Sequence, residues 1–297
     1  MCLKHLFTPQ LLFINLFSEV HKMKKLSNCH THTNNCDGRS PAHEVVKSAY
    51  DAGFVSLGFS GHATMPGECE WCMTEESTKI YNEQLEALKK EYEGKMEILR
   101  GIEWDVECPD LKAGEFDYCL GSVHILKGEK GSFDIDHTAQ VLQQAVDTLF
   151  DGNWLKMAEY YYGRVYDCAV KPFVDVLGHI DLITKFNNDF VQFNEDDKEY
   201  QKIALECVDR ILEARPDIIF EVNTGAMNRA GKKRPYPAPF ILEHMCKKGA
   251  KITITSDCHS ADTLTFAFEK AVEACLSAGY KETYIIRKDG FEAIELE

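Results

Sequence analysis

The feature that most constrains the fold is a series of seven apolar, β-favouring runs that alternate with segments of helical pattern. Strands alternating with helices predict parallel β-α units, and seven or eight such units in one chain predict a closed barrel. At 297 residues and 44% hydrophobic, the chain can bury the core of one large domain. The expected strands cover residues 25–29, 54–60, 96–102, 116–123, 173–177, 217–222 and 251–255. Residues 282–287 are a candidate for an eighth extended segment or a tail.

Cap and stop residues place the helices between these strands. Ser40 and Pro41 are expected as N-cap and first helical position of a helix that runs to residue 51. The other expected helices cover residues 74–93, 136–150, 154–170, 196–214, 237–248 and 263–278. Residues 127–172 depart from the alternation and are expected as a mostly helical insertion in a single domain of residues 23–297. Residues 1–22 are expected to be an upstream extension outside the fold, because Met23 immediately precedes the first strand.

Residue types that bind metal stand where the apolar runs end. In His30-Thr31-His32 the two imidazoles point to the same face, because side chains alternate along a strand. In a parallel barrel, the side chains at the C-terminal ends of the strands converge on one mouth. We therefore expect these residues to meet there: His30, His32, His62, Glu103, His124, His179, Asp257 and His259.

This set of imidazoles and carboxylates suits Zn, Mn or Fe, and it exceeds what one ion can use. The sequence therefore predicts two or three divalent metal ions. Glu103 is the expected bridge, because its two oxygens can each bind one ion. Multi-metal clusters activate water and stabilise displacement at phosphorus, so phosphoester hydrolysis is the predicted chemistry, with amide or ester hydrolysis as the alternative.

Charge and cysteine usage narrow the partners. The net charge of -15, from 48 acidic and 33 basic residues, argues against a nucleic-acid-binding surface but permits a small anionic substrate near metals. The apolar run at residues 11–17 is too short to span a bilayer, so no membrane partner is expected. The 12 cysteines are scattered and predict a reducing cytoplasm, with Cys69 and Cys72 as reduced thiols in a loop and a zinc or redox role as the alternative. No heptad run predicts an oligomeric state.

The ordered motifs resemble the polymerase-and-histidinol-phosphatase (PHP) family over about residues 26–290. They are His30-x-His32, Gly-x-x-Gly-His62, Gly-x-Glu103, Gly-Ser-x-His124, Gly-His179-x-Asp and Ser-Asp257-x-His259. The resemblance implies a distorted (β/α)7 barrel of PHP type. It also implies one metal on His30, His32, Glu103 and Asp257, a second on Glu103, His124 and His179, and a third on Asp37, His62 and His259.

Within that family the sequence is similar to the histidinol-phosphatase branch. The similarity rests on the length, the insertion between His124 and His179, and Asn223-Thr224-Gly225 followed by a basic loop. It implies hydrolysis of L-histidinol phosphate in histidine biosynthesis. The alternatives are a PHP phosphoesterase acting on another small phosphomonoester or nucleotide, a metal-binding accessory protein without turnover, and an amidohydrolase-like enzyme on a complete eight-stranded barrel.

The expected catalytic residues are Glu103, Asp257 and His62. The leaving alcohol needs a proton, for which Asp257 and a water at the metals are both candidates. Arg164 and Arg229 are the expected phosphate-binding residues, because a planar guanidinium matches a phosphate group. Arg234 and Lys232 are the second choices for that role.

Overall fold

The computed structural model describes residues 23–67 and 69–297, so the expected extension of residues 1–22 lies outside the described part. The described strands, in chain order, are β1 (Leu26–Asn28), β2 (Phe54–Phe59), β3 (Glu97–Asp105), β4 (Tyr118–Ser122), β5 (Ile125–Gly128), β6 (Gly131–Asp134), β7 (Val176–Leu177), β8 (Ile219–Asn223), β9 (Lys251–Thr255), β10 (Glu282–Arg287) and β11 (Gly290–Glu295).

A seven-stranded parallel sheet in the order β1-β2-β3-β4-β7-β8-β9 forms the centre of the fold. The sheet nearly closes on itself through the segments that follow its two outer strands. The backbone N–H of His32 donates to the carbonyl of Cys258 at 2.8 Å, and the N–H of Cys258 donates to the carbonyl of His30 at 3.1 Å. The expectation of a distorted seven-stranded barrel is confirmed.

The described α-helices are α1 (Ala42–Asp51), α2 (Glu75–Glu91), α3 (Ala139–Phe150), α4 (Trp154–Ala169), α5 (Lys198–Ala214), α6 (Gly225–Arg229), α7 (Pro239–Lys247) and α8 (Phe268–Ala278). Thr74 and Ser77 begin α2 with a capping box, and the helix then buries Tyr81, Leu85 and Leu88 on one face. The start of α1 differs from expectation: Pro41 occupies the N-cap position, one residue later than the predicted Ser40. No helix in residues 23–67 and 69–297 is long and apolar enough to cross a membrane.

Two hairpins were not expected from the sequence. The insertion between β4 and β7 begins with the antiparallel pair β5-β6 and only then continues with α3 and α4. The segment at 282–287 is not an eighth barrel strand, because β10 pairs antiparallel with β11 in a separate two-stranded sheet. The turn signals were present: Gly128 and Gly131 flank the first turn, and Lys288-Asp289 forms the second, directly before Gly290. The described sheet therefore differs from the complete eight-stranded barrel of the amidohydrolase-like alternative.

The C-terminal hairpin closes one end of the barrel. Ser56 of β2 donates its hydroxyl to the carbonyl of Ile286 at 2.5 Å, and Thr283 donates to the carbonyl of Ile252 at 3.1 Å. The side chain of Ile286 is buried in an apolar cluster with residues such as Leu99 and Leu120 from the barrel interior. Because this end is filled with apolar groups, the polar side chains at the C-terminal ends of the strands face the other, open end.

Candidate metal centre

Four groups of histidine and carboxylate side chains crowd together at the open end of the barrel. In each group the potential ligand atoms lie within 4.8 Å of one another. The groups are His30, His32 and Glu103; His62, Glu103 and His124; His32, Asp37, His62 and His259; and His30, His179 and Glu221. With Asp257, which lies beside His30 and His32, these groups include all the residues that the sequence placed at the mouth, and Asp37 joins them.

Glu103 lies at the centre of these groups, and its two oxygens face different sets of imidazoles. Oε2 is 3.1 Å from His30 Nε2, 3.3 Å from His32 Nε2 and 3.1 Å from His62 Nδ1. Oε1 is 3.4 Å from His124 Nε2 and 3.3 Å from His179 Nε2. This division between two oxygens is the geometry that a bridging carboxylate requires.

Spacing and hydrogen bonding both fit divalent metal ions. Two ligands of a tetrahedral zinc with bonds of about 2.0–2.1 Å are about 3.4 Å apart, close to the separations around Glu103. The buried atoms His30 Nε2, His32 Nε2 and Glu103 Oε2 also have no hydrogen-bond partner among the described residues. Buried polar atoms are normally satisfied, so a cation is the partner that this arrangement fits.

Two buried carboxylates that the sequence did not single out hold the imidazoles from behind. Glu221 in β8 lies 2.5 Å from His30 Nδ1 and accepts the backbone N–H of His179 at 2.7 Å. Asp105 in β3 lies 3.2 Å from His124 Nδ1 and accepts the backbone N–H of the same residue at 2.7 Å. Each carboxylate can fix the Nδ1–H tautomer of its histidine, which leaves Nε2 free to bind a metal.

The charges of the cluster favour a bound cation. Burial would lower the pKa of His30, but Asp257, Glu221 and Glu103 together raise it to about 10. Burial lowers the pKa of His62 to about 3, so this imidazole is neutral and one of its ring nitrogens is available as a ligand. Three carboxylates thus face His30, where two of the ligand groups meet.

Asp257 connects the cluster to Arg229. Its Oδ1 lies 3.4 Å from His30 Nε2 and 3.3 Å from His32 Nε2, and its Oδ2 accepts from Arg229 Nη2 at 2.8 Å. Burial opposes ionisation, but Arg229 and His30 hold the pKa of Asp257 well below its ordinary value. Asp257 is therefore ionised and accepts in these contacts, which argues against it as the proton donor to a leaving group.

Gly225 explains part of the Asn223-Thr224-Gly225 motif. A Cβ at this position would lie 2.7 Å from the Cβ of Asp257, so only glycine permits this close approach. The side chain of Asn223 accepts the N–H of Gly225 at 2.7 Å and donates to Glu221 at 3.0 Å. The motif therefore fixes the backbone beside Asp257.

The remaining group lies nearer to solvent. Asp37 Oδ2 is 2.9 Å from His259 Nε2, and Asp37 Oδ1 is 3.7 Å from His62 Nε2 and 3.3 Å from His32 Nδ1. Because His62 also faces Glu103 through its other nitrogen, it connects this group to the centre of the cluster.

The cluster forms the floor of a cavity of about 670 Å³. Arg229 lines it, as expected, together with three basic side chains that the sequence did not suggest: Arg39, His137 and Lys185. Asp134 and Asp136 from the end of the β5-β6 hairpin face the same cavity. Lys185 donates to Asp136 Oδ1 at 2.9 Å.

Trp71 forms part of the cavity wall, and the two cysteines of its loop differ from the sequence-based expectation. The indole ring lies 4.6 Å from the ring of His62 and 5.3 Å from that of His124, both edge-on. Cys69 and Cys72, which were expected as reduced thiols, are joined by a disulfide. The two cysteines are adequately placed for this bond because the turn between them brings their Cα atoms to 5.4 Å.

The other expected phosphate-binding residues are engaged elsewhere. Arg164 pairs with Glu107 at 2.7 Å and with Asp167 at 2.9 Å, and it is not among the described residues that line the cavity. This placement does not support a role in phosphate binding, because Glu107 and Asp167 hold the guanidinium away from the residues that line the cavity. Arg234 pairs with Glu195, and Lys232 donates to the carbonyl of Thr184 at 2.6 Å.

The sequence matches a known protein family and several of its members. A family model described as the PHP domain matches residues 28–225. A relative from Deinococcus radiodurans, named a probable histidinol-phosphatase, is 27% identical over 271 residues, which cover 86% of this chain and 95% of the relative. The histidinol-phosphatase of Bacillus subtilis is 24% identical over 270 residues, which cover 83% and 98%.

A solved structure shares the fold. The histidinol phosphate phosphatase of Lactococcus lactis, crystallised with zinc, L-histidinol and phosphate, is 19% identical to this chain. Its TM-score is 0.67, and the alignment covers 90% of this chain and 99% of that one.

Proposed function

Because the chain belongs to the PHP domain family, we propose that it is a metal-dependent phosphatase that hydrolyses L-histidinol phosphate to L-histidinol and phosphate in histidine biosynthesis. The observation that carries the proposal is the position of Glu103 at the floor of a cavity that Arg229 also lines. Three imidazoles face one of its carboxylate oxygens, and two face the other. The names of the relatives, and the zinc, histidinol and phosphate bound by the Lactococcus protein, support this substrate.

The ligands proposed for two or three divalent ions are those named from the sequence: His30, His32, Asp37, His62, Glu103, His124, His179, Asp257 and His259. Ions held there supply positive charge to the phosphoryl oxygens and activate water for attack. Glu103 sets the spacing of the ligand groups, and Glu221 and Asp105 keep two of the imidazoles in the required tautomer.

Basic side chains around the cavity would position the phosphate group. Arg229 is held at the edge of the cluster by its contacts with Asp257 and His259, so its guanidinium stays close to the proposed metal ligands. Arg39 and Lys185 line the same cavity. These cations would orient the phosphate and stabilise the charge of the transition state without changing their own protonation.

An acidic side chain distinguishes an amino-alcohol phosphate from other phosphomonoesters. Asp134 lines the cavity and has no basic group within ion-pairing distance in the part of the chain that the structure describes. Burial raises the pKa of Asp134, which makes an added cation favourable. We assign it to the ammonium or imidazole of histidinol phosphate, because sugar phosphates carry no cationic group that could pair with it.

Steady-state phosphate release from L-histidinol phosphate tests the proposal, with the protein reconstituted with Zn or Mn. The expected kcat/KM is about 10⁴ M⁻¹s⁻¹ or more, and far above the values for nucleotide and sugar phosphates. Asp134→Asn should lower kcat/KM for histidinol phosphate and leave that for p-nitrophenyl phosphate unchanged. Equal, slow rates across all substrates would contradict the substrate assignment, while a chelator-resistant rate would contradict the metals.

The proposal also includes the cytoplasmic location and the absence of a nucleic-acid partner that the sequence predicts. The net charge of -15 supports the second point. Single-stranded DNA and RNA oligonucleotides should neither be cleaved nor compete with histidinol phosphate, and competitive inhibition by them would contradict this part.

A further inference from the structure

The disulfide between Cys69 and Cys72 lies next to the proposed catalytic cavity and has no part in the chemistry described so far. We call residues 69–72, Cys69-Glu70-Trp71-Cys72, the tryptophan loop. The loop is closed by the disulfide, and its Trp71 reaches the cavity.

The loop is fixed to the metal centre on one side. Directly after it, the backbone N–H of Met73 donates to the carbonyl of His62 at 3.1 Å, and the Met73 side chain is fully buried. Cys72 is also buried. The C-terminal half of the tryptophan loop is therefore anchored by its chain neighbours, whether or not the disulfide is formed.

At the N-terminal end of the tryptophan loop, the disulfide ties Cys69 to the anchored Cys72. Cys69 is partly exposed, and Gly67, two positions before it, is exposed and has a φ of +96°. With the bond formed, the two residues between the cysteines are confined to a small ring. Trp71 is then held with its indole edge-on to the rings of His62 and His124.

We propose that Trp71 is a positioning residue of the cavity wall and that the redox state of the Cys69–Cys72 pair controls its position, and with it the affinity for substrate. Breaking the bond releases Cys69, and Trp71 is then held through Cys72 and through the hydrogen bond of its side chain with Asp134. The ring then loses its fixed contact with the two imidazoles, the wall of the cavity opens, and substrate binds more weakly. The part that concerns substrate rests on the proposed function; the movement of Trp71 does not.

The redox step is a thiol–disulfide exchange with a low-molecular-weight thiol such as glutathione. Its thiolate attacks the more exposed sulfur of Cys69, the Sγ–Sγ bond breaks, and Cys72 leaves as a thiolate that takes a proton. A second glutathione thiolate attacks the glutathione sulfur of this mixed disulfide, oxidised glutathione forms, and Cys69 leaves as a thiolate that takes a proton. Two protein thiols are gained, and two glutathione thiols are oxidised to one disulfide.

The experiment equilibrates the metal-loaded protein in buffers of different reduced-to-oxidised glutathione ratio. Thiol labelling and mass spectrometry of the peptide containing residues 69–72 report the bond, since the reduced pair takes two labels. Tryptophan emission reports the position of Trp71, and KM and kcat report turnover. We expect reduction to change the emission and to raise KM about three- to tenfold, the range of an aromatic contact, with little change in kcat.

Three variants separate this mechanism from other effects of thiols. Cys69→Ser/Cys72→Ser should behave as reduced protein at every ratio, so any response that persists in it comes from metal chelation or another cysteine and overturns the proposal. Trp71→Phe should lose the emission change. Trp154→Phe is its matched control and should retain the full response, because Trp154 stacks on Phe193 at 5.0 Å and does not line the cavity.

Two further results would overturn the proposal: a pair that stays reduced at every ratio, or a pair that changes state while emission and KM stay constant. Failure of the proposed function is distinguishable from failure of this proposal, because the emission change can be measured on a protein that does not hydrolyse histidinol phosphate.

Discussion

Replacing Glu221 with glutamine tests whether a buried carboxylate behind the cluster prepares His30 for metal binding. Glu221 Oε1 lies 2.5 Å from His30 Nδ1 and accepts from the Thr255 hydroxyl at 2.6 Å. Oε2 accepts from the backbone N–H of His179 at 2.7 Å and from the Asn223 amide at 3.0 Å. The partners on both sides are donors, so a glutamine NH₂ group meets donors in either orientation.

The two orientations have different costs. If the NH₂ group faces His179 and Asn223, two N–H donors lose their acceptor at about 1–3 kcal/mol each. If it faces His30, the imidazole can accept at Nδ1 in the neutral form that keeps its single proton on Nε2, and the Thr255 hydroxyl can rotate. The second arrangement costs less, but it protonates the nitrogen that faces Glu103. We therefore expect a loss of about 1–3 kcal/mol in the stability of the metal-free protein and a loss of about 10- to 100-fold in zinc affinity.

The assays are urea unfolding of the metal-free protein and competition with a chromophoric chelator for zinc. Glu213→Gln is the matched control, because Glu213 is an exposed residue on α5 and should change neither quantity. A Glu221→Gln protein with the zinc affinity of the wild type would refute the tautomer argument, whatever its urea midpoint.

Three further substitutions test separate parts of the structure. Arg229→Lys loses the planar fork and should lower kcat/KM by about 10- to 100-fold in steady-state assays, as expected for a charge-assisted hydrogen bond. Gly101→Ala places a Cβ in the buried ring of Tyr118 and should destabilise the protein by about 1–3 kcal/mol or more in urea. Glu97→Gln removes the paired hydrogen bonds from Arg287, at 2.8 and 2.9 Å, which lower the pKa of Glu97. Because the folded-state pKa is lowered, the pair stabilises the fold above the ordinary glutamate pKa of about 4.3 and loses this effect as the pH falls through the folded value. The variant should therefore be less stable by about 1 kcal/mol at pH 7 and equal to the wild type in acid.

Each of these has a control on the same chain. Arg164→Lys should keep wild-type kinetics, because Arg164 does not line the cavity that the structure describes; a large loss would show that its placement changes when substrate binds. Gly163→Ala should be neutral or stabilising, because a Cβ there meets no atom within 4 Å and alanine favours a helix. Glu93→Gln, at an exposed position beside α2, should not alter the pH dependence of unfolding, and a similar loss in both variants would contradict the Glu97 argument.

The barrel could be predicted because hydrophobic periodicity is a local signal. Each parallel strand is an apolar run bounded by turn residues, and even the two-residue β7 lies in such a run, at the end of residues 173–177. The two hairpins were missed for a related reason. Residues 125–134 are short and partly exposed, so they carry little apolar periodicity and lie next to strong helical patterns. At residues 282–295 the sequence signals extended structure but not which strand it will pair with, and that is decided by packing over the barrel end.

Most of the candidate metal ligands could be found because the ends of parallel strands converge whatever the details of packing. Which other side chains line the cavity is harder to predict from the sequence, since their positions depend on how helices and loops pack. Arg229 follows β8 directly on the short α6 and is therefore held at the mouth, whereas Arg164 lies on α4, whose orientation the sequence does not give. Lys185 and Trp71 lie in irregular segments and offer no periodic signal at all.

Glu221 and Asp105 were missed although a signal for them exists. Glu221 lies inside the mostly apolar β8 and Asp105 is the last residue of β3, and each lies two positions from a polar residue of the site: Asp105 from Glu103, and Glu221 from Asn223. Residues two apart on a strand share a face, so both carboxylates had to point towards the side that carries the site. An ionised group is not buried in such a strand without partners. A histidine at the end of a neighbouring strand can provide that partner, because the ring N–H that faces away from the metal can donate to the carboxylate. A buried carboxylate in a strand is therefore expected beside a histidine that ends a neighbouring strand.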